Sequence, residues 1–245
     1  MTDTSRRESG SGRPAAGGGF AVVEMFTSQG CNSCPPAEEL LSEIDRDARE
    51  RAERVYALGF HVDYWDHLGW ADPYGDRAHT LRQEAYARAF GSGGLYTPQM
   101  VVNGTVEFVG SDRRAASSAI TSALGEAAAT SLALSVRDAD GSTGDGRRVM
   151  VDYQAGRLPE GAVLNVAVVQ RGLENDVPRG ENAGRRLRQD GVVRAFTSAK
   201  LVRGDGRVEL AVPPDLDPRH ASVVGYVQND ADKTIVGAAA VEVPA

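Results

Sequence analysis

The chain is short of cysteine, of positive charge and of long apolar runs. Two cysteines in 245 residues exclude a framework of several disulfides. They also leave a structural zinc site incomplete, because zinc usually takes four ligands and there is no second cysteine pair. No apolar run is long enough to cross a bilayer as a helix. Residues 1–19 are polar, rich in Ser, Gly and Arg, and lack the apolar centre of a secretory signal. They read as a disordered tail, and the expected address is the cytoplasm, where a dithiol is mostly reduced. Lys and Arg number 27 against 34 Asp and Glu, a net charge of −7, which argues against nucleic acid as a partner. The remainder, 41 % apolar and 25 % charged, is ordinary globular composition, enough for one large domain or two modest ones.

Both cysteines lie in one stretch, Phe26-Thr27-Ser28-Gln29-Gly30-Cys31-Asn32-Ser33-Cys34-Pro35-Pro36. An apolar run over residues 20–26 leads into it and reads as a strand buried on both faces. A helical pattern over residues 35–51 leaves it, with Ala37, Leu40, Leu41 and Ile44 at helical spacing. The thiols thus sit where a strand ends and a helix begins, in the Cys-x-x-Cys spacing of a redox site. Unpaired amides and the positive dipole end at a helix start favour a thiolate over a thiol. Cys31 is expected outside the first turn, exposed and attacking; Cys34, one turn on, is expected to resolve a mixed disulfide. Pro35 and Pro36 lack amide hydrogens that the first turn does not need. The same pair could also be half of a metal site, or inert.

Glu24 interrupts the first strand. A buried carboxylate has to be paired or protonated, so it either relays a proton to Cys34 from beneath the thiols or pairs with an arginine. Residues 55–60 form a second apolar strand, which completes a βαβ unit. The run His61-Val62-Asp63-Tyr64-Trp65-Asp66-His67-Leu68-Gly69-Trp70 follows that strand's carboxyl end, where sites gather in open α/β sheets. His61, Asp63, Trp65 and Trp70 are therefore candidates to wall the site, against the plainer reading of core caps and a structural histidine. A helix over residues 76–90, a loop to Pro98, a hairpin turning at Asn103-Gly104 and a helix capped by Ser111 or Asp112 complete the first half.

The order βα, βα, hairpin, α resembles the thioredoxin-like superfamily. More narrowly, the chain resembles a bacterial family of unknown function that carries a Phe-Thr-Ser-Gln-Gly-Cys-x-x-Cys-Pro-Pro segment, matched here by residues 26–36. The runs His61-Val62-Asp63-Tyr64-Trp65, Tyr96-Thr97-Pro98-Gln99 and Val109-Gly110-Ser111-Asp112 match as well. The resemblance implies that Pro98 is cis and faces the cysteine pair, and that Thr97 offers its backbone to a bound substrate strand. Members of the family are often exported, whereas this chain shows no export signal.

Beyond residue 130 short alternating runs take over, at 131–136, 148–154, 163–171, 192–202, 207–212, 221–228 and 234–243, which suggests an antiparallel β-sandwich. The expected organisation is an α/β thioredoxin-like domain over 20–128 followed by an all-β, sandwich-like C-terminal domain over 129–245. A polar stretch over 175–188, with Glu181, Asn182, Arg185 and Arg186, is either a solvated loop or a cover for the dithiol. In the second case Arg185 could lower a thiolate pKa.

The expected function is a thiol–disulfide oxidoreductase. It needs no cofactor, only a disulfide-containing protein or small thiol and an electron donor or acceptor. Cys31 is the nucleophile, Cys34 the resolving thiol, Pro98 the shaper of the groove and Glu24 the proton carrier. Two alternatives stand beside it: a metal-binding or metal-delivery protein using the thiolates with His61 or Asp63, and a non-catalytic thioredoxin-fold binding module whose Cys31 is buried.

Overall fold

The computed structural model describes residues 18–139 and 147–244. Most of the tail expected over 1–19, and part of the polar turn that starts at Asp138, lie outside the described residues. The fold is mixed α/β, with one large central sheet and few helices.

Strand β1 (Ala21–Thr27) is buried along its whole length, which explains why it shows no polar alternation. It pairs in parallel with β2 (Val55–His61), from Ala21↔Val55 to Thr27↔His61, and antiparallel with β3 (Gln99–Val102). β3 turns through Asn103 and Gly104, both at positive φ, into β4 (Val106–Val109). Gly104 admits no side chain, since a Cβ there would lie 1.8 Å from the Lys233 carbonyl oxygen.

Three α-helices cover the sheet. Helix α1 (Pro35–Arg51) and α3 (Arg113–Gly125) pack on the β1 face that carries Ala21, Val23 and Met25. Helix α2 (Arg77–Phe90) packs on the opposite face, with Val22 and Phe26. Alternate residues of a strand point to opposite faces, so the parity of a β1 residue decides which helices it meets. Asp76 caps α2 by accepting from the Ala78 N–H at 2.7 Å, and Asp112, not Ser111, caps α3 through the Ala115 N–H at 2.9 Å.

The second half contributes β5 (Leu132–Asp138), β6 (Arg148–Ala155), β7 (Ala162–Gln170), β8 (Leu173–Val177), β9 (Arg185–Gln189), β10 (Val192–Lys200), β11 (Asp205–Ala211), β12 (Ala221–Asn229) and β13 (Ile235–Glu242). The central sheet runs β13-β12-β7-β10-β2-β1-β3-β4. The end of the first half near residue 128 is therefore not a break in the sheet. β10 covers what would be an open edge of β2, at the pair Val192↔Gly59, with the Gly59 N–H donating to the Gly191 carbonyl at 2.7 Å. One core joins Phe26, Phe60 and Tyr86 to Val169, Val193 and Tyr226 from the other half. A three-stranded sheet, β11-β6-β5, packs over β7 and β12 through Val149, Val151, Leu164, Val166 and Val223. The second half has two β layers, and the larger one continues the central sheet instead of standing apart. The remaining strands, β8 and β9, pair only with each other.

Candidate functional site

β1 ends at Thr27, and a tight loop carries the chain to α1. The Ser28 hydroxyl oxygen accepts from the Gly30 N–H at 3.0 Å, and the Cys31 N–H donates to the Ser28 carbonyl at 3.1 Å. Cys34 is the N-cap residue of α1, with prolines in the first two helical positions. Cys31 and Cys34 are joined in a disulfide with their Cα atoms 5.5 Å apart. The loop has little room. A Cβ at Gly30 would stand 3.0 Å from Cβ of Trp65, so the glycine lets the tryptophan close against the disulfide loop.

Thr97 and Pro98 meet this loop from the start of β3. The Thr97–Pro98 peptide bond is cis. The Thr97 carbonyl oxygen lies 3.9 Å from Sγ of Cys31, and the Ser33 hydroxyl lies 3.3 Å from the same sulfur. Trp65 Nε1–H donates to Oγ1 of Thr97 at 2.8 Å. Cys31, Cys34, Thr97, Pro98 and Trp65 thus come together.

Other expected residues do not join them. Glu24 has the wrong parity for a relay to Cys34: it points to the α2 face, away from α1. Its carboxylate accepts from Arg82 at 2.7 and 3.0 Å, from Tyr226 at 2.7 Å and from Tyr86, so arginine pairing is the reading that fits. Asp63 is held by the Thr80 hydroxyl at 2.5 Å. Arg185 is exposed, and only its backbone N–H reaches the neighbouring loop, at the Asn182 carbonyl. His61 does not wall the site. It is buried on the α1 face, with Nδ1 2.7 Å from Oδ2 of Asp72. With His61 and Asp63 committed elsewhere, no group of three His, Cys, Asp or Glu side chains able to hold a metal occurs among the described residues.

The buried acid on the α1 side is Glu38, one helical turn after Cys34 and 5 % exposed. It accepts from the Thr27 hydroxyl at 2.7 Å. Burial pushes its pKa up, against the opposing pull of His61, Thr27 and Gln189. Burial lowers the His61 value, but Asp72 and Glu38 outweigh it and leave His61 raised. Burial would raise Asp72; the charge of His61 and the hydrogen bonds from His61, Gln29 N–H and Tyr74 N–H reverse that and lower it. Glu38 is thus biased to hold its proton beside a His61–Asp72 ion pair.

Cys31 is 1 % exposed, contrary to the expectation of an open nucleophile. Ser33 and Thr97 stand at its sulfur, and the β8–β9 hairpin, about 150 residues later, closes over the backbone of the cysteine loop. Asn182, fully buried, donates through Nδ2 to the carbonyls of Gln29 and Cys31, each at 2.9 Å. The Glu181 carboxylate accepts from the Asn32 N–H at 3.0 Å. Gln29 Nε2 donates to Asn175 at 3.1 Å and Gln189 at 2.9 Å, and Gln29 Oε1 accepts from Trp70 Nε1–H at 3.1 Å. Among the described residues Oδ1 of Asn182 is buried without a hydrogen-bond partner, while Gln189 faces the Glu38 carboxyl. Such an orphan costs about 1–3 kcal/mol.

Gln29, Glu38, Asp72, Asn175 and Gln189 escaped the sequence reading. Glu38 could have been found, because it lies three positions before buried Leu41 and so shares its helical stripe. The others act across long sequence separations and leave no local pattern.

No curated protein matches the chain. Protein AGR_C_4864 from Agrobacterium tumefaciens, known from a crystal structure, is similar to it with 28 % identity and a TM-score of 0.66, over 91 % of this chain and 94 % of that one. HBP35 of Porphyromonas gingivalis shares the fold at 15 % identity and a TM-score of 0.62, over 92 % and 76 % of the two chains. A family described only as a protein of unknown function, DUF1223, matches residues 22–228, and the chain, with its disulfide-bonded Cys-x-x-Cys pair, belongs to that family.

Proposed function

We propose that the protein is a thiol–disulfide oxidoreductase built on a thioredoxin-like unit, with a disulfide-containing protein or a small thiol as its substrate. The observation that carries this reading is the Cys31–Cys34 disulfide at the start of α1, facing the cis Thr97–Pro98 bond. The parallel β1–β2 pair, the β3–β4 hairpin and the placement of α1 and α3 opposite α2 support the thioredoxin-like assignment.

The exchange is a two-electron step that runs either way. In one direction the Cys31 thiolate attacks a substrate disulfide, forms a mixed disulfide and expels one substrate thiolate. Cys34 then gives up its proton and attacks Sγ of Cys31. The second substrate thiolate leaves, and the protein ends as the disulfide seen here. Two electrons pass to the substrate, and a partner dithiol restores them. Glu38, on the α1 side of the sheet with Cys34, replaces Glu24 as the candidate to exchange a proton with Cys34. Thr97, with its carbonyl beside Cys31, is the position at which a substrate strand would pair.

The test is the alkylation rate of reduced Cys31 against pH in a Cys34→Ser variant. Fast labelling with an apparent pKa well below the free value of about 8.5 is expected. Slow labelling with an unshifted value overturns the reading. The burial of Cys31 favours one rival, a binding module with a structural disulfide. On that account the bond resists glutathione, with a potential below about −300 mV, and its reduction lowers stability without creating a reactive thiol.

A further inference from the structure

The redox reading leaves one feature unexplained: a sulfur meant to be attacked is sealed. Exchange at Cys31 needs an incoming thiolate in line with the S–S bond, and a cysteine only 1 % exposed leaves little room for that approach. The seal has three properties that a fixed core element lacks. Its two strands form a sheet of their own, and an isolated two-stranded ribbon is marginally stable. Its buried apolar side chains are only Val177 and Leu187, while the rest of β8 and β9 is exposed, half-buried or polar. The orphaned Oδ1 of Asn182 lies on its inner side and would regain water if it lifted.

The ends of the hairpin form an anchored base, Gly191 through its carbonyl on the Gly59 N–H and Gly172 through its N–H on Asp190, about which the strands between them can turn. Gly172 stands before β8 with φ 70°, and Gly191 stands after β9 with φ 67°. Hinges are a few positions at element ends that absorb backbone rotation, and glycine tolerates the left-handed region without penalty. Between these ends the tip is held down by Asn182 on two carbonyls and by Glu181 on the Asn32 N–H, and the strands by Gln29 on Asn175 and Gln189.

We propose that the β8–β9 hairpin is a lid that rests on the oxidised Cys31–Cys34 pair and lifts about Gly172 and Gly191 before sulfur exchange, with Asn182 as its latch. The charge at the tip gives the lid a redox preference. The Glu181 carboxylate sits on the amide next to Cys31, where it repels a thiolate. A neutral disulfide therefore keeps the lid down and a newly formed thiolate loosens it. The lid rests on the redox reading for its purpose but not for its test.

The test measures how fast dithiothreitol reduces the native protein's own disulfide, in the wild type, Asn182→Ala and Glu181→Ala, with released thiols trapped and counted. Asn182→Ala is expected to speed reduction at least tenfold and Glu181→Ala several-fold, and all three should react alike in denaturant. Rates within twofold of the wild type in folded variants overturn the lid. Glu181 is exposed, so its variant keeps the test open if Asn182→Ala fails to fold. Turnover of a disulfide substrate is assayed in parallel. Accelerated self-reduction without any turnover overturns the oxidoreductase reading and leaves the lid standing. Turnover without acceleration does the reverse.

Discussion

Two buried polar clusters tie the halves of this chain together, and they are built on opposite terms. Around Glu24 every group is satisfied. Its carboxylate takes four hydrogen bonds from Arg82, Tyr86 and Tyr226, and Arg82 also donates to Gln228 at 3.2 Å. The rings of Phe60, Tyr86, Phe196 and Tyr226 surround the guanidinium at 5.1–5.6 Å. Around the disulfide, Asn182 keeps one orphaned atom, and the charged member, Glu181, is exposed. A fully connected ionic network in a low-dielectric core rigidifies what it joins. A partly satisfied one is close to balance between closed and open. The first is a joint and the second a latch, although both connect the same two parts of the sequence.

The sharpest way to break the comparison is at the joint. Arg82→Met leaves the Glu24 carboxylate buried and uncompensated, and should lower stability by about 3–5 kcal/mol in urea unfolding. The double variant Glu24→Gln with Arg82→Met should recover much of that loss, because it removes the charge, keeps an acceptor for one tyrosine and offers an amide N–H to the hydroxyl oxygen of the other. Tyr226→Phe deletes one hydrogen bond to a charged group and should cost about 1.5–3 kcal/mol. At the latch, Asn182→Ala should change stability by no more than about 1 kcal/mol, because freed carbonyls can reach water, while the rate of disulfide reduction changes most. A loss at Asn182 as large as at Arg82 would erase the distinction.

The smallest effect is one of pH. Glu38 holds its proton more tightly in the fold than in the unfolded chain, because of its burial. Its contribution to stability is fully present below the free carboxyl value of about 4.3 and fades as pH rises through the raised one. His61 and Asp72 face it and titrate in both proteins compared. Glu38→Gln should therefore match the wild type in acid and become the more stable of the two as pH rises. Urea midpoints that stay parallel across the range would show that Glu38 holds its proton no more tightly in the fold than in the unfolded chain.

The sequence was legible where hydrophobic period and local geometry suffice. β1, the cysteine loop, α1 and the Asn103-Gly104 turn follow from apolar runs, a helical stripe and turn chemistry, and the structure places them within a residue or two of expectation. β8 and β9 were not legible as strands, because Leu173–Val177 and Arg185–Gln189 carry almost no apolar alternation. Their inner face is polar since it meets backbone carbonyls and glutamine, not a core. The burial of Cys31 was invisible for the same reason, as Thr97 meets its sulfur from 66 residues away and Asn182 its carbonyl from 151. Arg185 attracted notice by its charge, while the neutral Asn182 three positions earlier makes the contact. Glu24 was misplaced for want of one step, the parity that sets it opposite α1. The continuous sheet was hidden because β10 joins β2 through a single pair at Gly59, too slight a contact to mark either strand.

The pairing of β7 with β10 carries one more consequence. Val192 lies opposite Gln170, so the chain leaves the central sheet and returns to it on the same rung, with residues 171–191 making a round trip outside. The excursion behaves like a module plugged into a socket. Replacing its middle, residues 173–189, with a short turn would keep Gly191 and with it the Gly59 bond that joins β10 to β2. Exchanging it for the equivalent loop of a relative would alter which molecules reach the sulfur without rebuilding the protein beneath.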